Sequence, residues 1–190
     1  SETVETHLAL GSLFRRRGEV ERAIRIHQNL IARPTLDKAQ RAQALCELAL
    51  DYQGAGLLDR AENLFLELAE IPAHAEQALR SLMHIYEQEK DWDKALAAGR
   101  RLGRVANGTV TAVLAQYCCE LAERALADGD VGRGQRHIDD ARVLEPECIR
   151  AALLDGRLAR QAVSSALIRR HAASSATSSP GAPASGRRLK

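Results

Sequence analysis

The sequence predicts an all-α protein, a solenoid of helix-turn-helix units, and three observations lead there. Its 190 residues are 45% hydrophobic but only 3% aromatic. The apolar mass is therefore mostly Ala and Leu, which form helices readily and strands poorly. Small residues recur in pairs 12 apart: Gly11 and Ala23, Ala49 and Ala61, Ala122 and Gly134, with Met83 and Ala95 in the same relation. The units recur 34 residues apart from Ala49 to Met83 and from Ala122 to Gly156, with longer steps of 38 and 39 elsewhere.

A period of 34 with small residues at two fixed places is the signature of the tetratricopeptide repeat (TPR). The two helices of a unit cross closely, so each offers a small residue at the crossing. The first unit predicts helices over 4–17 and 20–33, crossing at Gly11 and Ala23. The second predicts 37–54 and 58–70, crossing at Ala49 and Ala61. The third predicts 75–89 and 92–105; Met83 is not small, which predicts a wider crossing there. The fourth predicts 109–127 and 131–144, crossing at Ala122 and Gly134. An aromatic three residues after the first small position (Phe14, Tyr52, Tyr86) fills the gap between neighbouring pairs. Gly18, Gly56 and Gly129 stand in the turns, where a positive φ is needed. A further helix over 148–161 opens a fifth unit, but Val163 and Ile168 stand where its turn glycine and small residue belong. The array is thus expected over 1–161 as four full repeats plus one helix, with one apolar face left without a partner.

Residues 162–190 differ in character. Ala and Ser fill 14 of the 29 positions, with five Lys+Arg and no acid. Such a composition buries too little apolar surface to offset its ordering entropy, so the tail is expected to be largely disordered: 174–190 disordered, and 162–173 at best a frayed helical extension. The formal net charge of the chain is +2, yet residues 1–161 hold 22 Lys+Arg against 25 Asp+Glu. A mildly acidic body argues against a nucleic-acid partner. No run approaches the roughly 20 apolar residues that span a bilayer.

No catalytic or metal-binding constellation emerges. Cys46, Cys118, Cys119 and Cys148 include no C-x-x-C pair and are expected to fill space between helices. His7, His27, His74, His84, His137 and His171 share no ligand spacing and are expected on the surface or in the groove. Gly54-Ala55-Gly56 is expected to be a helix end, since no strand precedes it as in a phosphate loop. Arg15-Arg16-Arg17 is expected to complement the helix dipole. The chain is therefore expected to be non-enzymatic and to carry no cofactor. A cytoplasmic location is expected, since no disulfide framework is implied.

Function is then expected in a groove lined by the first helix of each unit. Three positions before and one after the small residue lie Leu8 and Ser12, Cys46 and Leu50, Arg80 and His84, Cys119 and Glu123, Leu153 and Arg157, with Arg160 a turn further on. Arg80, His84, Arg157 and Arg160 could grip an acidic peptide, and Leu8, Cys46 and Leu50 an apolar stretch. The Lys and Asn set of carboxylate-clamping chaperone TPRs is missing, which disfavours an Hsp70 or Hsp90 tail.

The stretch from Glu2 to Gln28, ETVETHLALGSLFRRRGEVERAIRIHQ, closely resembles the bacterial lipopolysaccharide assembly protein B family. Asp51-Tyr52, Ala55-Gly56-Leu57, Asp59-Arg60-Ala61-Glu62 and Gln116-Tyr117-Cys118-Cys119-Glu120-Leu121-Ala122 are similar to it as well. The resemblance covers about residues 2–161 and includes His7, Arg25 and His27, which a TPR pattern alone does not require. It implies a cytoplasmic TPR array held at the inner membrane by an N-terminal helix, with a C-terminal rubredoxin-like domain binding iron or zinc through two C-x-x-C pairs. This sequence shows neither the membrane helix nor the cysteine pairs, so anchoring and metal binding are not expected of it. The implied role is an adaptor in the control of lipopolysaccharide synthesis, promoting degradation of the lipid A pathway deacetylase by a membrane AAA+ protease. The alternative is a generic peptide-binding TPR scaffold in another assembly or secretion process.

Overall fold

The computed structural model describes residues 3–106 and 109–176. These residues form nine α-helices and no strand: α1 (Val4–Arg16), α2 (Val20–Ile31), α3 (Lys38–Gly54), α4 (Leu58–Leu68), α5 (Pro72–Glu89), α6 (Trp92–Val105), α7 (Thr111–Ala127), α8 (Val131–Leu144) and α9 (Ile149–Ala176). Every helix expected from the repeat is present. Successive helices pack against one another along the chain, and first helices also meet across units at α1–α3, α3–α5 and α7–α9. This is the layered contact pattern of a TPR solenoid.

Local chemistry explains the boundaries. Asp37 starts α3 through a capping box with Gln40, and Asp91 and Asp130 accept from the Lys94 and Arg133 amides at the starts of α6 and α8. Pro72 opens α5 three residues earlier than expected, at a helical position whose amide needs no partner. The turns after α1, α3 and α7 hold Gly18, Gly56 and Gly129 at φ of 80°, 72° and 80°. The matching turn after α5 uses Lys90 at φ 56°, the one non-glycine residue with positive φ among those described.

The core is continuous from α3 to α9 and is built from Ala, Leu and the pocketed aromatics. Ala23, Ala61, Ala95 and Gly134 are buried at the crossings as expected. The Met83 side chain ends against Gly99 of α6, where an added Cβ would lie 3.4 Å from the Met83 methyl.

Each pocketed aromatic also carries a cation over its ring. Arg22 lies 5.2 Å from the Phe14 ring centre, Arg60 5.7 Å from Tyr52 and Lys94 5.1 Å from Tyr86. The spacing from ring to cation is eight residues in all three units. In the fourth unit Ala125 replaces the ring, and Arg133, in the cation's place, approaches Asp93 at 3.9 Å instead.

The last helix is longer than the 148–161 expected of it. The last helix does not stop at 161 but runs without a break to Ala176, fifteen residues further. A packed first half removes the cost of nucleation, and the Ala, Leu and Arg that follow propagate a helix well. The part of the expected disordered tail from 177 to 190 lies outside the described residues.

Candidate functional site: the first-helix face

The first helices α1, α3, α5, α7 and α9 present one side to solvent, and the residues predicted for the groove divide into three groups. Cys46 and Cys119 are core residues, 1% and 0% exposed, and cannot meet a partner. Their position on the helix turns inward because the neighbouring first helix covers it. Leu8, Ser12, Leu50 and Glu123 are half-buried. Ser12 donates to Glu47 Oε2 at 2.8 Å and Glu123 is held by Arg150 at 3.1 Å, so both join units rather than await a ligand. Arg80, His84, Leu153, Arg157 and Arg160 are exposed. Arg80 pairs on its own helix with Glu76 at 2.8 Å, and His84 faces Glu87 at 3.7 Å and Gln88 at 3.0 Å. On α5, Ala73, Glu76, Gln77, Arg80 and Ser81 line a shallow depression of about 380 Å³.

The sequence reading missed the buried centre of the first two units. His27 and Asp51 are both fully buried, and His27 Nδ1 is hydrogen-bonded to Asp51 Oδ2. Arg15 donates to the other Asp51 oxygen at 2.6 Å and to Glu47 Oε2 at 2.7 Å. His27 is therefore a core residue and not a surface or groove one. Arg15 leaves the dipole role expected of it for a cross-unit ion pair. Burial works against the Arg15 cation, but its hydrogen bonds to Glu47 and Asp51 outweigh that and raise its pKa. Burial likewise disfavours the Glu47 carboxylate, yet Arg15 and Ser12 hold its pKa below the ordinary value. Gly11 makes room for this centre: an added Cβ there would lie 2.3 Å from His27 Nε2. The available signal was Arg15, whose guanidinium matches acids 32 and 36 residues later, one unit on.

A second arginine clamp closes the other end, where Arg150 of α9 binds Glu120 at 2.8 Å and Glu123 at 3.1 Å on α7. Between them, Tyr117 of α7 donates to Glu87 of α5. Polar contacts on this face thus serve mainly to register one unit on the next.

The His27–Asp51 pair has the groups of an acid–base couple, but it is sealed, and His27 Nε2 faces the Leu8 carbonyl at 3.5 Å. Burial pushes the Cys46 and Cys118 thiols up to about 11 and Cys119 up to about 12, which leaves little of the nucleophilic thiolate. Cys119 and Cys148 place their sulfurs 3.9 Å apart between α7 and α9, as space-filling thiols. Among the described residues no group of three metal-ligating side chains converges, and no helix is long and apolar enough to cross a membrane.

Fold and face together define a TPR solenoid, a scaffold for protein–protein interaction, and residues 6–42 match the tetratricopeptide repeat family directly. The fold is shared with nearly identical TPR-like repeats from Podosopora anserina, at TM-score 0.50 and 17% identity over 93% of this chain and 97% of that one. It is shared also with the MamA protein, at TM-score 0.52 and 18% identity over 82% of this chain and 80% of that one. The chain is homologous to lipopolysaccharide assembly protein B: it is 38% identical to that of Escherichia coli K12 over 156 residues, which is 82% of this chain and 40% of the relative. The protein of the same name from Haemophilus influenzae is 39% identical over 155 residues, again 82% of this chain and 39% of the relative. The chain thus spans about two fifths of the length of the curated relatives it matches.

Proposed function

We propose that this chain is the partner-binding array of a lipopolysaccharide assembly protein B homologue. It acts as a non-enzymatic adaptor, without a cofactor of its own, that modulates lipopolysaccharide synthesis at the cytoplasmic face of the inner membrane. By resemblance to the family, it promotes proteolysis of the lipid A pathway deacetylase by a membrane AAA+ protease. The observation that carries this reading is the 38% identity over 82% of the chain. It is supported by the first-helix face, whose exposed side chains offer hydrogen bonds and charge without a reactive group. The surface on α5 around Gln77, Arg80 and His84 is an exposed part of that face and the proposed contact.

The test is a pull-down with the folded 190-residue chain against the purified protease and deacetylase. Retention of either, weakened about tenfold by Arg80→Ala with His84→Ala, is the expected result, a loss of about 1.4 kcal/mol over the two contacts together. Retention of neither refutes the reading and leaves the generic peptide scaffold.

A further inference from the structure

The four cysteines of this chain are free and buried, and two of them meet across a packed junction. Cys119 belongs to α7, and Cys148 is the residue just before α9. They are 29 positions apart in the chain, yet their sulfurs lie 3.9 Å from each other. That is contact distance for two thiols and roughly 2 Å longer than a disulfide bond. Modest turns about the two Cα–Cβ bonds cover the difference without moving a helix.

The sulfurs are brought together by charge, independently of any attraction between them. Arg150, two residues after Cys148, binds Glu120, the neighbour of Cys119, at 2.8 Å and Glu123 at 3.1 Å. This clamp sets the start of α9 on α7, so each thiol meets the other at high effective concentration. The remaining cysteines are not placed in this way. Cys118 stands about 100° around α7 from Cys119 and feels chiefly Asp140 of α8 and Arg100 of α6. Cys46 lies in α3, in the second unit. The two thiols of the pair also differ in access. Cys119 is 0% exposed and Cys148 7%, and Gln116 Nε2 donates to the Cys148 sulfur at 3.8 Å. Burial holds the Cys119 thiol at about 12, so Cys148 is the sulfur that an oxidant meets first.

We propose that Cys119 and Cys148 are a redox-sensitive pair, two thiols under reducing conditions and a disulfide after reaction with a small oxidant of the peroxide class. The Cys148 sulfur, as thiolate, attacks one oxygen of hydrogen peroxide. The O–O bond breaks, hydroxide leaves with the proton that the thiol gave up, and Cys148 becomes a sulfenic acid. The Cys119 sulfur then attacks the Cys148 sulfur and loses its proton. The S–O bond breaks, and the sulfenic oxygen leaves as a second water. Two thiols have lost two electrons and two protons, and one peroxide has become two waters. The product ties α7 to the start of α9, the junction that holds the last helix on the array. A small thiol such as glutathione reverses the step and is itself oxidised to its disulfide. In a reducing compartment a pair of this kind is transient and senses oxidant rather than building the fold.

The experiment treats the intact, folded chain with hydrogen peroxide, blocks the remaining thiols in denaturant and maps the peptides by mass spectrometry. Two of the four thiols should disappear, with a cross-link between the peptide carrying Cys148 and the one carrying Cys118 and Cys119. Cys118→Ala should keep the cross-link, Cys119→Ala and Cys148→Ala should abolish it, and glutathione should restore all four thiols. Glu120→Gln with Glu123→Gln, which loosens the clamp and removes no sulfur, should slow its formation several-fold. Oxidation should also slow hydrogen exchange in the first turns of α9 by about tenfold or more. The map and the exchange of the parent chain decide the matter even where a variant fails to fold. A Cys118–Cys119 or Cys118–Cys148 bond overturns the proposal, as does a cross-link found only between chains. So do four surviving thiols, a sulfinic acid at Cys148 without a cross-link, or unchanged exchange in α9.

Discussion

Asp51 is the residue on which the first two units turn. It accepts from Arg15 and is bonded to His27, with no exposure to solvent. Removing one partner of a buried ionic group leaves the others uncompensated, at about 3–5 kcal/mol. Asp51→Ala should therefore lower the urea midpoint by that equivalent. Gly11→Ala tests the same centre from the other side. The new methyl would collide with the His27 ring, which is fenced in by Asp51 and the Leu8 carbonyl, so a loss of about 1–3 kcal/mol is expected. Glu47 sets a pH dependence. Its native pKa is depressed, so the unfolded chain takes up a proton first as pH falls. The stability it contributes is complete above the unfolded value of about 4.3 and is lost as pH drops through the native one. Urea unfolding across that range should show a steeper loss for the parent chain than for Glu47→Gln. Lys90 is a case of the opposite kind. It holds a left-handed turn that the other units give to glycine, and Lys90→Gly should raise stability by about 1 kcal/mol in thermal unfolding.

At the scale of the element, the repeated device is a cation laid over a pocketed ring. Its three instances join a first helix to the second helix of its own unit, and the cations at Arg22 and Lys94 are more than half exposed. Exposed cation–ring contacts contribute about 0.5–1 kcal/mol, so Arg60→Ala should cost no more than that in denaturant unfolding. A larger loss would mean that Arg60 packs through its aliphatic stem. The rings were legible in the sequence because bulky aromatics in an aromatic-poor chain repeat at one register. The cations were not, because Arg and Lys are common on every helix surface and only the structure shows which bend over a ring. Helix α9 teaches the same lesson at its end. Its composition past 161 looks too poor in large apolar residues to fold alone, yet the helix continues because its first half is already nucleated on α7 and α8.

The whole molecule is a row of units, each held by its neighbours, so stability is distributed and graded along the row. The fully buried large side chains concentrate in α2 to α8, while the described side chains of α9 past Leu158 are exposed. Hydrogen exchange should therefore be slowest in α5 and α7, which have units on both sides, and fastest in the last turns of α9. Uniform protection along α9 would contradict this.

What the sequence by itself determined was the class of architecture, the helices and most of their ends, because a 34-residue period and small residues 12 apart are local and one-dimensional. It also carried the similarity to lipopolysaccharide assembly protein B, 38% identity over 82% of the chain. What only the tertiary structure decided was which polar groups face which way. His27, Asp51, Cys46 and Cys119 are inside, and Arg15 and Glu123 are committed to neighbouring units. A helical position three residues before a small one points either into solvent or into the next helix. That choice depends on how closely the adjacent first helix approaches, which is a property of packing between units and is written at no single position in the chain.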